Sequence, residues 1–234
     1  MEVVGDGMTV VIDKKTIQKR RMMGYFIDAA RQIIDASGIE AVSAREVADL
    51  AGYNVATLYN YFDDLDHLLF YASLKYLKEY VDDLENYLKG AKTPVERYLK
   101  VWENFCTHAF NRPKIYNAIF FEKYSTSLNH DIREYYSIFP EELGDQEDDI
   151  KPMLLGQNIY ERNLTLLQPC IRKGLVSEES SASVNEMILL VYQGLLTRFV
   201  KGQSDHSPEE ATQKMLFYIK KIFQTFGVNM IQSQ

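Results

Sequence analysis

Cysteine is scarce: Cys106 and Cys170 are the two thiols of a 234-residue chain. Two thiols build no disulfide framework, and such usage fits a reducing, cytoplasmic setting. Proline (six) and glycine (twelve) are too few for a turn-rich sandwich or barrel. No uncharged run approaches the ~18 apolar residues of a membrane span, so no membrane partner is expected. Met1 to Thr9 carries Glu2 and Asp6 without an apolar core, so no secretory signal is expected there. There is no HExxH, P-loop, Rossmann glycine pattern or Glu-x-x-His pair. Cys106 and His108 lie two apart, which is not a metal spacing. No metal, cofactor or catalytic residue is therefore expected. Positive charge is also lacking overall: the net charge is −7, a poor average for a nucleic-acid binder.

That average hides an asymmetry. Between Lys14 and Phe62 there are seven Lys/Arg against five Asp/Glu, a balance of +2 that leaves −9 for the rest. The excess lies in Lys14, Lys15, Lys19, Arg20 and Arg21. A small DNA-reading module attached to a larger acidic body shows such a distribution. Solvated helix ends show it too.

Helical periodicity runs through the chain. Ile17, Met22 or Met23, Phe26, Ala29 or Ala30 and Ile33 predict an amphipathic helix over 14–37, capped by Asp13 and ended by Gly38. Ser43 with Glu46 has the capping-box spacing and opens a helix from Ala44 to Ala51, ended by Gly52. Asn54 caps a helix from Val55 to about Tyr61, and Asp63 or Asp64 caps one that runs unbroken to about Lys89. Further helices are expected from Pro94 to about Asn111, from Pro113 to about Ser125, over 128–139, over about 150–173, from Ser181 or Ser183 to about Lys201, and from Pro208 to about Phe226. An acidic, solvated loop is expected over 140–149. The fold class is all-α: an N-terminal three-helix, helix-turn-helix domain (14–62) followed by a larger C-terminal helical bundle (63–234). Residues 1–13 form a disordered or extended tail.

The informative stretch is SAREVADLAGYNVATLYNYFDDLDHLL, Ser43 to Leu69. Two short helices flank a turn that holds Gly52, the mechanics of a helix-turn-helix. Ala48 is small where two helices cross, Gly52 permits the positive φ of the turn, and Val47, Leu50, Leu58 and Phe62 supply the apolar face. Val55, Thr57, Tyr59, Asn60 and Tyr61 remain for the surface, where hydroxyls and amides reach phosphates or base edges and a valine touches a thymine methyl. Lys15 and Lys19 are like charges four apart near a helix N-terminus, an arrangement that a phosphate would relieve. Ser43 and Arg45, opening the first of the two helices, complete the candidate set with Asn54.

The amphipathic first helix, VSAREVADLAG, TLYNYF and DDLDHLL resemble the TetR family of transcriptional regulators over about residues 14–69. The remainder matches that family in helical layout. The resemblance implies that the first three helices bind double-stranded DNA. It places Thr57, Tyr59 and Tyr61 on positions that contact phosphates or bases, and Asn54 on the usual cap. Two positions depart from the pattern. Leu65 stands where members often carry a phosphate-holding lysine, beside Asp63, Asp64 and Asp66, and Val55 stands where a basic or small residue is common. Lost phosphate contacts lower affinity at every sequence.

The resemblance also implies a dimerising, ligand-binding bundle from about residue 70. MILLVYQGLLTRFV (187–200) is apolar nearly all round, which calls for burial on several sides. The last helix adds Met215, Leu216, Tyr218, Ile219, Ile222, Phe223 and Phe226. A homodimer is expected through the last two helices, about 183–201 and 208–226. Trp102, Phe105, Phe120, Tyr124, Tyr160, Asn163 and Tyr192 are candidates for a pocket holding a small-molecule effector. The leading expectation is a ligand-responsive repressor that binds a palindromic operator. The alternatives are a helical signalling protein with a weakened helix-turn-helix and a helical-bundle enzyme.

Overall fold

A computed structural model describes residues 14–126, 128–144 and 150–228. The tail over 1–13, the Asp13 cap and residues 145–149 of the acidic loop lie outside these. Among the described residues there are twelve α-helices and no strand. Among the described residues no helix is long and apolar enough to cross a membrane.

The chain divides into two compact units between Ala72 and Ser73, downstream of the boundary drawn after residue 62. In the first unit, α1 (Lys14–Ser37) is followed by a 3-10 turn (Ile39–Ala41), α2 (Ala44–Ala51), α3 (Val55–Leu58) and most of α4 (Leu65–Leu74). α1 buries Met23, Phe26, Ile27, Ala29, Ala30 and Ile34 on one face, while Ile17 is exposed. Phe26 is the hub, with ring centroids 5.6 Å from Tyr53, 6.3 Å from Tyr61 and 6.4 Å from Phe62. The later boundary has a packing cause. Phe62 meets His67 and Tyr71 of α4 edge-on, each at 5.8 Å, so α4 completes this small core.

The second unit contains α5 (Leu77–Leu88), α6 (Pro94–Asn111), α7 (Pro113–Phe120), α8 (Leu128–Ile138), α9 (Lys151–Leu154), α10 (Ile159–Arg172), α11 (Glu178–Val200) and α12 (Pro208–Thr225). α6 is its axis and packs against α5, α12, α10, α7 and α11. Capping boxes at Thr93 and Ser207, each followed by proline, start α6 and α12 where the sequence places them.

Four expected helices are divided, shifted or shortened. The run from 63 to 89 breaks at Lys75–Tyr76, where Tyr76 N–H donates to Ser73 O (3.0 Å) in an i→i+3 bond. No glycine or proline marks the place. Tyr76 is buried, with the Arg112 guanidinium 5.0 Å above its ring, and Arg112 also binds Glu79. The expected helix over 150–173 is two helices, because Gly156 and the Asn158 cap interrupt it. α11 begins at Glu178 on a Ser177 cap, a turn earlier than Ser181 or Ser183. The segment expected to stay helical to Ser125 passes into a 3-10 turn over Lys123–Thr126. The described part of the acidic loop is a 3-10 turn over Pro140–Glu142. Its Glu142 is buried near Lys75 Nζ (3.9 Å) and is not solvated.

Candidate functional site

The helix-turn-helix rests on three local devices. Ser43 Oγ accepts from Glu46 N–H (3.2 Å) and starts α2. The reciprocal half of the box is absent: the Glu46 carboxylate takes the Ser43 hydroxyl (3.4 Å) in place of the backbone N–H. Gly52 adopts φ 78°, ψ 27° and Tyr53 N–H reaches back to Ala48 O (2.9 Å), which reverses the chain. A Cβ at 52 would meet nothing within 4 Å, so glycine is required there by conformation and not by space. Asn54 Oδ1 then accepts from both Thr57 N–H (2.8 Å) and the Thr57 hydroxyl (3.0 Å).

α3 is regular only from Val55 to Leu58 and does not run to Tyr61. Beyond Leu58 the turns tighten to i→i+3 bonds, Asn60 to Thr57 (3.2 Å) and Tyr61 to Leu58 (3.0 Å). Leu58 is sealed in the core, which turns the opposite edge outward. Tyr59 is 45% exposed and Asn60 is exposed, while Thr57 and Val55 are half-buried. Tyr61 is also half-buried, its ring against Phe26, so it serves packing as well as surface. Leu50, expected on the apolar face, is exposed, because α2 turns only Val47 and Ala48 fully inward.

Lys15 and Lys19 are exposed on the opening turns of α1. Arg45 is exposed on α2, and its Nε lies 4.0 Å from the equally exposed Asp49 carboxylate. Such a contact contributes little and competes weakly with a phosphate. One aromatic pair escapes the sequence reading. Tyr25 and Tyr53 stack at 6.1 Å with both rings partly exposed, on α1 and in the turn. The helical period puts Tyr25 beside the buried stripe and so hides it.

In the second unit, a cavity of about 30 Å³ is lined by Tyr80, Val101, Trp102, Phe105, Phe120, Met153, Ile159, Arg162, Asn163 and Leu166. Trp102, Phe105, Phe120 and Asn163 of the candidate pocket therefore come together. Tyr192 backs them, its ring 5.5 Å from Trp102 and 5.2 Å from Phe105. Tyr124 is not in the lining; it is half-buried in the 3-10 turn with Lys123 Nζ 5.0 Å over its ring. Tyr160 is 42% exposed and points away from the cavity. α10 turns Ile159, Arg162, Asn163, Leu167 and Cys170 inward, a stripe one residue out of phase with Tyr160.

Asn163 holds the cavity wall. Its Oδ1 accepts from Tyr98 OH (2.7 Å) and Trp102 Nε1–H (2.9 Å), and its Nδ2 donates to Asn185 Oδ1 (2.8 Å). Asn185 donates onward to the Tyr160 carbonyl (3.1 Å). Burial pushes the Tyr80, Tyr98, Tyr116 and Tyr192 hydroxyls well above the usual phenol range, so all stay neutral donors. Cys170 is pushed up to about 12 by burial and Cys106 is raised by the same cause, which makes both inert thiols. Among the described residues no cluster of His, Cys, Asp or Glu could hold a metal ion.

The first unit is a capped helix-turn-helix with a polar outward edge, and it is followed in sequence by a helical bundle with an aromatic interior. Residues 26–72 match the family described as bacterial regulatory proteins, tetR family. That stretch, the helix-turn-helix unit, is therefore similar to the DNA-binding part of TetR-family transcriptional regulators. It is similar to the HTH-type transcriptional regulator HbdR of Aromatoleum sp. (strain CIB), 28% identical over 98 residues; the alignment spans 42% of this chain and 42% of that relative. Among solved structures it is similar to the TetR-family repressor FadR of Thermus thermophilus, in complex with lauroyl-CoA: TM-score 0.59, 14% identity, 91% of this chain and 98% of that one. It is also similar to RolR in complex with resorcinol: TM-score 0.55, 15% identity, 92% and 97% covered. At these identities the two structures share the fold.

Proposed function

We propose that the protein is a dimeric repressor that binds a palindromic operator in the cytoplasm and is released by a small apolar or aromatic effector held in the α6–α7–α10 core. One observation supports this reading most strongly: Leu58 anchors α3 inward while Thr57, Tyr59 and Asn60 are left on the opposite side. Water satisfies that edge in the free protein and a duplex would replace the water. Val55, Tyr61, Lys15, Lys19, Ser43, Arg45 and Asn54 belong to the same proposed interface, Ser43 and Asn54 mainly by fixing the helix starts.

The dimer is proposed through the outward faces of α11 and α12. Met187, Leu190 (54% exposed) and the exposed Gly194 share one stripe of α11, and Phe217 (53% exposed) presents an apolar ring on α12. Met215, Ile219 and Phe223, expected in the seam, are instead packed in the chain's own core; Phe223 lies 5.2 Å from Tyr98. The same two helices thus serve both core and seam, on different faces. A two-fold pair would have to set its reading helices about 34–36 Å apart to enter successive major grooves. An effector acts by binding one spacing better than another.

Mobility shift against DNA flanking the protein's own coding region tests the reading. Binding should be dimeric and should weaken steeply with salt. Tyr59→Ala with Thr57→Ala should weaken it about tenfold or more while the dimer persists, given roughly 1–3 kcal/mol per base contact. Unchanged affinity removes these residues from the interface. Leu190→Glu should yield monomers in sedimentation; an intact dimer moves the seam elsewhere.

A further inference from the structure

Arg162 sits one turn into α10, lines the bundle cavity and is only 4% exposed. Its Nη1 is buried and has no hydrogen-bond partner. Its guanidinium carbon lies 5.4 Å from the Phe120 ring centroid; Val101, Phe105, Ile159 and Leu166 line the cavity with hydrocarbon, and Tyr80, Trp102 and Asn163 are its polar members. Among the described residues no carboxylate pairs with it. The groups that feel its charge are the neutral hydroxyls of Tyr80, Tyr116 and Tyr136, whose ionised forms it favours against burial. The Tyr116 hydroxyl is itself buried without a partner.

Arginine cannot shed its proton to escape such a site. A guanidinium left buried and unpaired is among the costliest features a core can hold. Yet the backbone is shaped to admit it: a Cβ at Gly156 would lie 2.7 Å from Arg162 Cγ and 3.2 Å from its Cα. A buried guanidinium nitrogen without a partner, in a chamber lined mostly by apolar and aromatic side chains, is complementary to one kind of occupant. We infer that the effector is an organic anion, an apolar body ending in a carboxylate, and that Arg162 binds that carboxylate. This rests on the proposed effector function of the bundle and names its chemistry. The guanidinium fork matches a carboxylate in two parallel hydrogen bonds. The present free space, about 30 Å³, has room for only a few water molecules at roughly 10–15 Å³ each. A larger occupant must part the lining side chains, which couples binding to a change in the bundle.

The chain's single tryptophan, Trp102, lines the cavity and reports occupancy by fluorescence. The probes are two matched pairs, decanoate with decanol and benzoate with benzyl alcohol. At least one acid should bind about tenfold or more tightly than its alcohol, the 1.4 kcal/mol that one charge-assisted contact supplies. Arg162→Met should erase that preference, and Arg162→Lys should keep part of it. Arg162→Met should also melt at a higher temperature than the parent without ligand, because it removes an unpaired buried charge while keeping the volume. Equal binding of acid and alcohol in both pairs, no binding of either acid, or an acid preference that survives Arg162→Met overturns the inference. A lower melting temperature for Arg162→Met also overturns it, since that marks a structural arginine. Mobility shift on the same preparations separates the two levels. Operator binding without acid preference sinks the inference alone; acid preference without operator binding sinks the repressor reading alone.

Discussion

The outer edge of α3 and the interior of the bundle handle polar groups in opposite ways. At α3 every polar side chain is either a cap with its partners in place, as at Asn54, or open to water, as at Tyr59 and Asn60. Inside the bundle, Asn163 is fully engaged while Asn104 Oδ1, Tyr116 OH, Tyr192 OH and Arg162 Nη1 are buried with nothing to bind. A surface open to water costs little to keep polar. A core that keeps unanswered polar groups loses stability with each one. The first region therefore exchanges freely with solvent, and the second holds polar groups whose burial is incompletely compensated.

Core deletions break this contrast most sharply. Phe26→Ala should cost about 3–5 kcal/mol, since Tyr53, Tyr61 and Phe62 all rest on that ring. Asn163→Leu should cost about 3 kcal/mol by stranding the Tyr98 hydroxyl, the Trp102 N–H and Asn185 together. The two losses should fall on different units. Hydrogen exchange in Phe26→Ala should accelerate in α1–α3, and in Asn163→Leu in α6, α10 and α11. Uniform acceleration in both variants would show that the two units melt as one.

Much of this was legible before any coordinates. The caps Ser43, Asn54, Thr93 and Ser207, the first-turn prolines 94 and 208 and the Gly52 turn are local rules that tertiary packing leaves alone. What escaped was set by contacts distant in sequence. The break at Lys75–Tyr76 carries no breaker residue; Arg112, far along the chain, covers Tyr76 there. Arg162 was missed although its signal is present. Ile159, Arg162, Asn163 and Leu166 repeat at helical spacing, so a charged residue sits on a buried stripe, but a reading one residue out of phase chose Tyr160. The Gly156 and Asn158–Glu161 pair likewise marks the start of α10 in plain sequence.

The cap of α3 gives a middling effect that sharpens the comparison from the outer side. Asn54→Ala removes the acceptor for two donors of Thr57 and should cost about 1 kcal/mol. α3 has four regular residues and no stability of its own. Its loss of order should therefore lower DNA affinity more than it lowers the melting temperature. Proportional losses in both would mean that the cap serves the fold alone.

The smallest expected change in stability concerns Leu65, where the family pattern favours a lysine. It is half-buried at the first position of α4, with Asp63 and Asp64 just before it and Asp66 just after. The acidic side chains suit a helix N-terminus, and a cation there is mildly unfavourable, by about 0.3–1 kcal/mol. Leu65→Lys should lower stability by no more than that amount, partly offset by its acidic neighbours. On DNA the same lysine would add one phosphate contact. Affinity should rise at low salt, and the slope of log affinity against log salt should steepen by about 1. A slope that stays fixed would place the start of α4 off the duplex. The sparse charge of this surface would then be a feature of its docking geometry and not a missing contact.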